Sequence, residues 1–350
     1  MNTDSNIINL DLKAYIRRRP GMVVGKIGDG RNEDDGIYVL VKEIINNSVD
    51  EFRLGFGKEI IINLNNDSLT IRDFGRGIDF DRLAHFYQKL VNVRDKEGMV
   101  NRSVGAFGLG LIIVASLSSE MEITSYQHGL EKTIILSQGN NISINEQKNT
   151  SEPDGLRVSF TPDNQIFGDY VINANHILEM VKVYAVCNPG LSLKFGRESF
   201  YAPQGMLNLL ENLVGTDYRS TAVHIVDNIC DLAIAPMHIA TPPIIKSFVN
   251  GQPTTLGGQH EEALTEVLYS SLKRILPESF LNYNSSANLI ICFNIVIDEP
   301  IFYFTTRTRL TSRDINRDGK TIKQYFSELI EANLHDMEKA WSAYFRSTTI

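Results

Sequence analysis

Three polar side chains recur at helical spacing near the start of the chain. Glu43, Asn47 and Asp50 stand at positions i, i+4 and i+7, a spacing that places them on one face of a helix. A carboxylate and a carboxamide one turn apart can activate a water molecule and hold a hard cation through oxygen. Polar stripes on helices are more often solvated faces. Taken alone, the stripe leaves a ligand-binding face and a solvated face open.

A second candidate is Asp73-Phe74-Gly75-Arg76-Gly77, which follows a predicted strand. Its glycines allow the backbone to turn and to approach a flat ligand closely. A buried aspartate at this place can accept a hydrogen bond from an exocyclic amine such as that of adenine. The alternative is a plain Asp-x-Gly turn, which the segment by itself favours.

The third candidate is the run GAFGLG at 105–110, which precedes an apolar helix predicted at 111–117. Glycines before a helix expose backbone N–H groups and the positive end of the helix dipole to a phosphate chain. The run is neither GxxxxGK[ST] nor a GxGxxG after a strand, so P-loop and Rossmann sites are excluded. The three segments in this order together predict a nucleotide site.

Mixed α+β organisation is predicted for the elements that must hold these segments. Residues 38–52 form a predicted helix, because Val39, Val49 and Phe52 fall near one face and Gly55 follows as a stop signal. Strands are predicted at 59–64, 68–72, 121–126, 132–137, 156–161 and 191–195, with a helix at 172–184. After residue 218 the pattern restarts, with strands at 222–225, 232–236, 244–250 and 289–297 and helices at 261–276 and 322–344.

Length and composition agree with two soluble domains. The chain has 350 residues, 43% hydrophobic residues and a formal charge of -8, which argues against a protein that coats nucleic acid by bulk positive charge. It lacks a signal-peptide pattern and any apolar run of about 18 residues, so a cytoplasmic protein without a membrane partner is expected. Cys187, Cys230 and Cys292 have apolar neighbours and are expected to be core residues.

Five segments, spread over nearly the whole chain, occur in a characteristic order. They are RRRPGMVVG at 17–25, EIINNSVDE at 43–51, DFGRGI at 73–78, SFVNGQPTTLGGQH at 247–260, and EPIF at 299–302 running into TTRTRL at 305–310. In this order they resemble the GHKL ATPases and, within them, the ATPase region of type IIA DNA topoisomerase B subunits, those of gyrase and topoisomerase IV. The resemblance implies an α+β fold: a GHKL α/β sandwich over 1–215, then a ribosomal-S5-domain-2-like transducer domain over 216–350.

The resemblance also implies roles for particular residues. Glu43 is the expected general base that activates the attacking water, and Asn47 is the expected ligand of Mg²⁺. Asp73 is expected to bind the adenine amine. Arg307, with Arg309 as second choice, is expected to reach the γ-phosphate of ATP from the second domain. The other expected nucleotide-binding residues are Asp50, Gly77, Ile78, Gly105, Phe107, Gly108, Leu109, Gly110 and Leu156.

Several positions depart from the family pattern. Thr305 and Arg307 stand where the family usually has Gln and Lys, and the planar arginine fork is not equivalent to a lysine point charge. Phe107 replaces a customary His in the segment expected to cover the phosphates. Leu156 replaces a Thr beside the adenine-binding aspartate. Binding and hydrolysis of ATP are both expected, and binding without turnover is the alternative that these departures leave open.

The implied function is the ATP-driven gate of a type II DNA topoisomerase. The expected partners are a second copy of the chain, joined on ATP binding, then DNA, and an A-type subunit that carries the cleavage tyrosine. Residues 2–14 are the expected dimer arm, and basic residues between 307 and 323 are candidates for DNA phosphate contacts. No TOPRIM-like or catalytic-tyrosine segment is found, so no DNA cleavage is expected from this chain. A fragment of a longer protein and a free-standing clamp or chaperone-like module outside strand passage both remain open.

Overall fold

Two compact units make up the structure, a computed structural model that describes residues 7–84, 109–215, 221–237, 243–275, 289–303, 307–315 and 319–347. The first unit comprises Met1–Ala185 and Gly190–Tyr201, and the second comprises Val186–Pro189 and Ala202–Ile350. The second unit therefore begins before residue 216. The assignment of an ATPase domain to 1–215 and a transducer domain to 216–350 stays a prediction.

One long sheet and the helices packed on it form the first unit. The helices are α1 (Ile7–Arg18), α2 (Gly21–Val24), α3 (Gly36–Arg53), α4 (Phe80–Ala84), α5 (Gly110–Ser116), α6 (Asn164–Phe167) and α7 (Ala174–Cys187). The strands are β1 (Glu59–Asn65), β2 (Ser68–Asp73), β3 (Ser118–Gln127), β4 (Leu130–Ser137), β5 (Asn140–Ile144), β6 (Lys148–Asn149), β7 (Gly155–Pro162), β8 (Ser192–Phe195) and β9 (Glu198–Tyr201). They lie in the order β5-β4-β3-β7-β2-β1-β8-β9, with β6 beside β4.

Helix α3 forms where the apolar spacing predicts it. Its buried side includes Ile37, Leu40, Ile44 and Val49, each at most 1% exposed. Burial of an aliphatic side chain contributes about 1.5–3 kcal/mol, so this face holds the helix on the sheet. The helix ends at Arg53, and Gly55 follows with φ of 91°. The predicted helix is confirmed.

The hairpin of β1 and β2 leads directly into the second candidate segment, residues 73–77. The strands pair antiparallel from Asn65 opposite Ser68 to Ile60 opposite Asp73. Asn66 adopts a φ of 54° in the turn between them. Because β2 lies between β1 and β7 in the sheet interior, its last residue, Asp73, enters the core before the glycines begin. Apart from the parallel pair of β1 and β8, the described strands of this sheet pair antiparallel.

A five-stranded sheet and three described helices form the second unit. Its helices are α8 (Met206–Val214), α9 (Gln259–Leu272) and α10 (Ile322–Ser347). Its strands are β10 (Val223–Val226), β11 (Cys230–Pro236), β12 (Ile244–Val249), β13 (Gln252–Pro253) and β14 (Leu289–Ile295), in the order β10-β11-β14-β12-β13. Strands β12 and β14 pair in parallel with α9 between them in sequence. Phe293, Phe326 and Trp341 are fully buried in the core of this unit.

Much of the segment 247–260 has a structural role. The Asn250 side chain pairs with both the backbone N–H and the carbonyl of Ile297, at 2.9 and 3.0 Å. Thr254 Oγ1 lies 2.8 Å from Nε2 of the fully buried His260. Burial lowers the pKa of His260 to about 3, so its ring is neutral. These bonds join β12, β13, α9 and the end of β14.

The three cysteines are buried, as expected from their apolar neighbours. Burial raises the pKa of the Cys292 thiol to about 12, which keeps it protonated and a poor nucleophile. Among the described helices, none combines the length and the apolar composition needed to cross a bilayer.

Candidate functional site

The polar stripe of α3 lies on the side of the helix opposite its apolar face. Glu43, Asn47 and Asp50 are each half-buried, whereas their neighbours Ile44 and Val49 are buried. A half-buried stripe differs from a fully solvated face, so a simple solvated surface does not describe it. The predicted arrangement on one helical face is present.

Glu43 lies against the start of α5. A Cβ atom placed on Gly110 would lie 2.5 Å from Oε2 of Glu43, a separation that real Cβ atoms do not tolerate. Gly110 is buried, and Leu109 precedes it as the residue that flanks the helix. The absence of a side chain at Gly110 is therefore what lets the Glu43 carboxylate reach the first turn of α5.

Asp73 is buried and hydrogen-bonded on both carboxylate oxygens. Its Oδ1 accepts from the backbone N–H of Gly75 at 2.9 Å and from that of Leu156 at 3.2 Å. Its Oδ2 accepts from the Ser48 hydroxyl of α3 at 3.0 Å. Burial raises the pKa of the Asp73 carboxyl, and these three hydrogen bonds and the Arg72 charge oppose that rise. The plain-turn alternative explains the Gly75 contact but not a bond to another element.

The glycine segment after Asp73 is fastened to β3 through a serine. Ser125 Oγ accepts from the N–H of Ile78 at 2.8 Å and donates to the Ile78 carbonyl at 2.6 Å. Gly77 has a φ of 72°, and a Cβ on it would lie 2.7 Å from Ser125 Oγ and 2.9 Å from the Gly155 carbonyl. Gly77 is thus required both by its backbone conformation and by the closeness of β3 and β7.

Leu156 and an ion pair complete the surroundings of Asp73. Leu156 is buried on β7, and its N–H donates to Asp73, so the wall expected from its sequence position is apolar. Arg76 donates from Nε and Nη2 to the two oxygens of Glu51 at 3.0 and 2.9 Å. This paired contact links the glycine segment to α3, which a planar arginine fork does well.

The structure brings together part of the predicted site. Glu43 lies beside Gly110, Asp73 lies beside Leu156, and Gly77 and Ile78 lie beside β3. All of these contacts are within the first unit. Gly105, Phe107, Gly108 and Thr305 lie outside the described residues.

The two candidate arginines belong to the second unit. The Arg309 guanidinium lies 3.4 Å from Glu262 and 3.3 Å from the Leu256 carbonyl, so its charge is engaged there. Arg307 is half-buried and has a φ of 59°, an uncommon conformation for a residue with a side chain.

Two serines that contact the candidate site were not among the predicted residues. Ser48 lies between Asn47 and Asp50 in sequence, but its position on the buried side of α3 excludes it from the polar stripe. Ser125 lies at a buried position of β3. A polar residue in an otherwise apolar buried pattern was the available signal, although the sequence does not identify its partner.

A family comparison agrees with this site. Residues 32–166 match the family described as histidine kinase-, DNA gyrase B-, and HSP90-like ATPases. The matched range contains the α3 stripe, Asp73, the 105–110 run and Leu156. The first unit therefore carries an ATPase domain of this class, and the expected GHKL resemblance is confirmed.

Similarity to particular proteins extends over nearly the whole chain. The DNA topoisomerase 4 B subunit of Borreliella burgdorferi is 31% identical over 330 residues, which cover 93% of this chain and 55% of that protein. The DNA gyrase B subunit of Synechocystis sp. is 26% identical over 359 residues, which cover 91% and 32%. The chain is thus similar to the B subunits of topoisomerase IV and gyrase. It spans about half the length, or less, of these curated relatives.

Solved structures share the fold. The 43K ATPase domain of Thermus thermophilus gyrase B, solved with an aminocoumarin, has a TM-score of 0.70 and 22% identity, covering 98% of this chain and 96% of that one. The ATPase region of Saccharomyces cerevisiae topoisomerase II has a TM-score of 0.64 and 18% identity, covering 94% and 97%. The expected α+β fold class is confirmed.

Proposed function

We propose that this chain binds Mg²⁺-ATP, hydrolyses it, and serves as the nucleotide-gated dimerising part of a type II DNA topoisomerase. The observation that carries the proposal is one helix, α3, that supplies both a general-base candidate and a contact to a buried aspartate. Glu43 reaches Gly110, and Ser48 of the same helix reaches Asp73. One rigid helix can therefore fix the relative positions of the residues proposed to bind the base and to hydrolyse ATP.

The adenine end of the proposed site centres on Asp73. Its carboxylate accepts the exocyclic amine of the base, and the flat base approaches along Gly77, where no side chain intervenes. Leu156 supplies an apolar contact to the ring. Most nucleotide sites combine such apolar walls with a few fixed polar groups.

The phosphate end of the proposed site lies along the α3 stripe. The half-buried Asn47 and Asp50 offer oxygen ligands for a metal ion. Mg²⁺ needs only one or two protein ligands when phosphate oxygens supply further ligands. Asn47 would therefore hold the ion, and Asp50 supports this face of the site. When bound, Mg²⁺ offsets phosphate charge.

Glu43 takes the proton of the attacking water in the proposed reaction, because a carboxylate near the phosphates is the proton acceptor that α3 provides. Gly105, Phe107, Gly108, Leu109 and Gly110 would cover the phosphates. Arg307 is the proposed γ-phosphate cation. Arg309, whose guanidinium lies 3.4 Å from Glu262, is the second choice.

The proposed partners follow from the relatives. They are a second copy of the chain, DNA, and an A-type subunit with the cleavage tyrosine, in the cytoplasm, with residues 2–14 as the dimer arm. The basic run gives limited support for the DNA contact, because Lys320 and Lys323 are paired with Glu328 and Glu266 at 2.6 and 2.7 Å. DNA binding therefore rests on similarity to B subunits.

Replacing Glu43 tests the hydrolytic assignment. Glu43→Ala is expected to bind ATP like the parent and to lower the turnover rate by about 10²- to 10⁴-fold, the usual contribution of a general base. Nucleotide binding and phosphate release are measured on the same preparation. Glu179→Ala, which removes an exposed helical glutamate of the first unit, is the matched control and should leave both unchanged.

Parental turnover in Glu43→Ala would contradict the general-base role. ATP binding by the parent without any turnover would instead favour a nucleotide-binding module that does not hydrolyse. Absence of ATP binding by the parent would remove the proposed function altogether.

A further inference from the structure

Ser48 makes the one side-chain contact that the structure records to the Asp73 carboxylate, at 3.0 Å. The other two donors, the N–H groups of Gly75 and Leu156, belong to the backbone and both reach Oδ1. Oδ2 therefore depends on Ser48. Because α3 carries Ser48, this bond ties the aspartate to the helix that bears Glu43.

The hydroxyl of Ser48 has a single hydrogen and two acceptors within reach. Asp73 Oδ2 lies at 3.0 Å and the Ile44 carbonyl at 3.3 Å. When the hydrogen points to Oδ2, all three neighbours of the carboxylate are donors, and the carboxylate acts only as an acceptor. When it points to Ile44, Ser48 can instead accept a proton carried on Oδ2. The Ser48 hydroxyl thus points to Oδ2 when Asp73 is ionised, and to the Ile44 carbonyl when Oδ2 carries a proton.

We infer that Ser48 is a positioning residue for purine selection: it holds Asp73 as a hydrogen-bond acceptor, so that the site takes a 6-amino purine and rejects a 6-oxo purine. This inference rests on the proposed binding of the base by Asp73. A 6-amino group donates to a carboxylate oxygen. A 6-oxo group presents an acceptor to an acceptor, and a buried unmatched polar pair is costly.

Opposing influences act on the pKa of Asp73, so a single hydrogen bond can affect its proton state. Burial favours the neutral carboxyl and raises its pKa, whereas Ser48, the two N–H groups and the Arg72 charge favour the ionised form. Arg72 donates to the backbone carbonyl of Asp73 and lies 4.4 Å from the Tyr126 ring centroid.

The neighbouring elements add other charged groups. On α3, Glu51 is paired with Arg76, while Glu43 and Asp50 belong to the polar stripe. On β7, Arg157 is paired with Glu122. Loss of the Ser48 donor therefore removes one of the interactions that favour the ionised carboxylate of Asp73.

The test compares ADP with inosine diphosphate, which has a 6-oxo group and a hydrogen on N1 where ADP has a 6-amino group and an unprotonated N1. Binding of each, with Mg²⁺, is measured by calorimetry on the full chain. The parent should prefer ADP, and Ser48→Ala should reduce the ratio of the two affinities at least about fivefold, mainly through weaker ADP binding. Ser48→Thr keeps the hydroxyl and should retain the parental ratio.

Two further variants serve as a control and as a second test of Ser48. Ser118→Ala removes a buried hydroxyl that donates to the carbonyl four residues earlier, Val114, as Ser48 can to Ile44, but it has no recorded carboxylate contact and should leave the ratio unchanged. Ser48→Cys, similar in size but a poor donor, should reproduce the effect of Ser48→Ala should that variant fold poorly.

The outcomes separate this inference from the proposed function. An unchanged ratio in folded Ser48→Ala or Ser48→Cys, or a parent that binds both diphosphates equally, would overturn the role of Ser48 while leaving nucleotide binding intact. A parent that binds neither ligand would overturn the proposed function itself. A ratio that falls equally in Ser118→Ala would assign the effect to helix packing and likewise overturn the inference.

Discussion

Asp73 holds a carboxylate where little water reaches it, and the fold compensates with directed donors. Each of its oxygens has a partner, yet burial still raises its pKa. The ionised form is thus less stable here than in the unfolded chain, since a raised carboxyl pKa means that the folded state binds the proton more readily. A buried carboxyl group that the fold surrounds with directed donors fits a binding role.

Asp73→Asn is expected to fold normally and to lose ATP binding. The amide oxygen can keep the bonds from Gly75 and Leu156, while the NH₂ group donates to Ser48, whose own hydrogen turns to Ile44. The melting temperature should equal or exceed that of the parent, because a buried charge is removed. ATP affinity should fall at least about tenfold, because a charged acceptor is lost.

Thermal melting and equilibrium nucleotide binding check this prediction together. Asp169→Asn, at an exposed position of the same unit, is the control and should change neither quantity. Parental ATP affinity in Asp73→Asn would show that the base is bound elsewhere.

Elements of the second unit are joined by His260, which offers a pH-dependent test of that packing. The ring is fully buried, and its Nδ1 has no hydrogen-bond partner among the described residues. Burial lowers its pKa to about 3, below the ordinary value of about 6.5. As the pH falls below about 6.5, the unfolded state gains a proton that the folded state cannot, so stability decreases.

Between pH 6.5 and 5 the expected loss from this group is about 1.6 kcal/mol of unfolding free energy, because the slope reaches its full value of about 1.4 kcal/mol per pH unit only well below pH 6.5. Glu261 has the opposite sign, since burial raises its pKa, but it is common to parent and variants. Urea unfolding followed by the fluorescence of Trp341, the single tryptophan, reports on this unit.

Replacing His260 isolates its contribution to the pH dependence of stability. His260→Gln should flatten the pH dependence relative to the parent, whereas His335→Gln, at an exposed position of α10, should retain it. The same slope in His260→Gln and the parent would assign the acid sensitivity to other groups.

Sequence periodicity predicted the elements best where burial alternates strongly. Helix α3 and the hairpin of β1 and β2 follow from apolar spacing and an Asn-rich turn. The short strands β5 and β9 were not predicted, because few residues with weak alternation carry little signal. Contacts such as Ser48 with Asp73 depend on how the helix is rotated on the sheet, which spacing along one element does not specify.

The segment 247–260 shows the converse case. Its resemblance to the transducer motif is a family signal, yet Asn250 and His260 act by pairing with neighbouring elements. A recognisable motif can therefore mark packing as well as chemistry. In contrast, the stripe of Glu43 and Asn47 predicts chemistry only together with the Asp73 and 105–110 segments, because a polar helix face alone is more often solvated.

At the scale of the whole molecule, the proposed gate should assemble when nucleotide is bound. Sedimentation of the chain should show a dimer with a non-hydrolysable ATP analogue and a smaller species without it. Turnover with Mg²⁺ should rise more than linearly with protein concentration, because the active species contains two chains. Glu43→Ala should still dimerise with ATP, since binding rather than hydrolysis is expected to drive association.

A strictly linear rate and a single species with and without the analogue would contradict the gate and favour a module that acts alone. A chain that is fully dimeric without nucleotide would support dimerisation but contradict its dependence on ATP. Glu179→Ala should behave like the parent in both measurements.

The backbone passes between the two units at three places: Ala185 to Val186, Pro189 to Gly190, and Tyr201 to Ala202. During synthesis, Val186–Pro189 leave the ribosome before β8 and β9, so part of the second unit is made before the first sheet can be finished. β8 must then insert beside β1, which was made more than a hundred residues earlier. A protease that cuts just after Tyr201 would likewise leave Val186–Pro189 on the amino-terminal product, so no single cut releases both units intact.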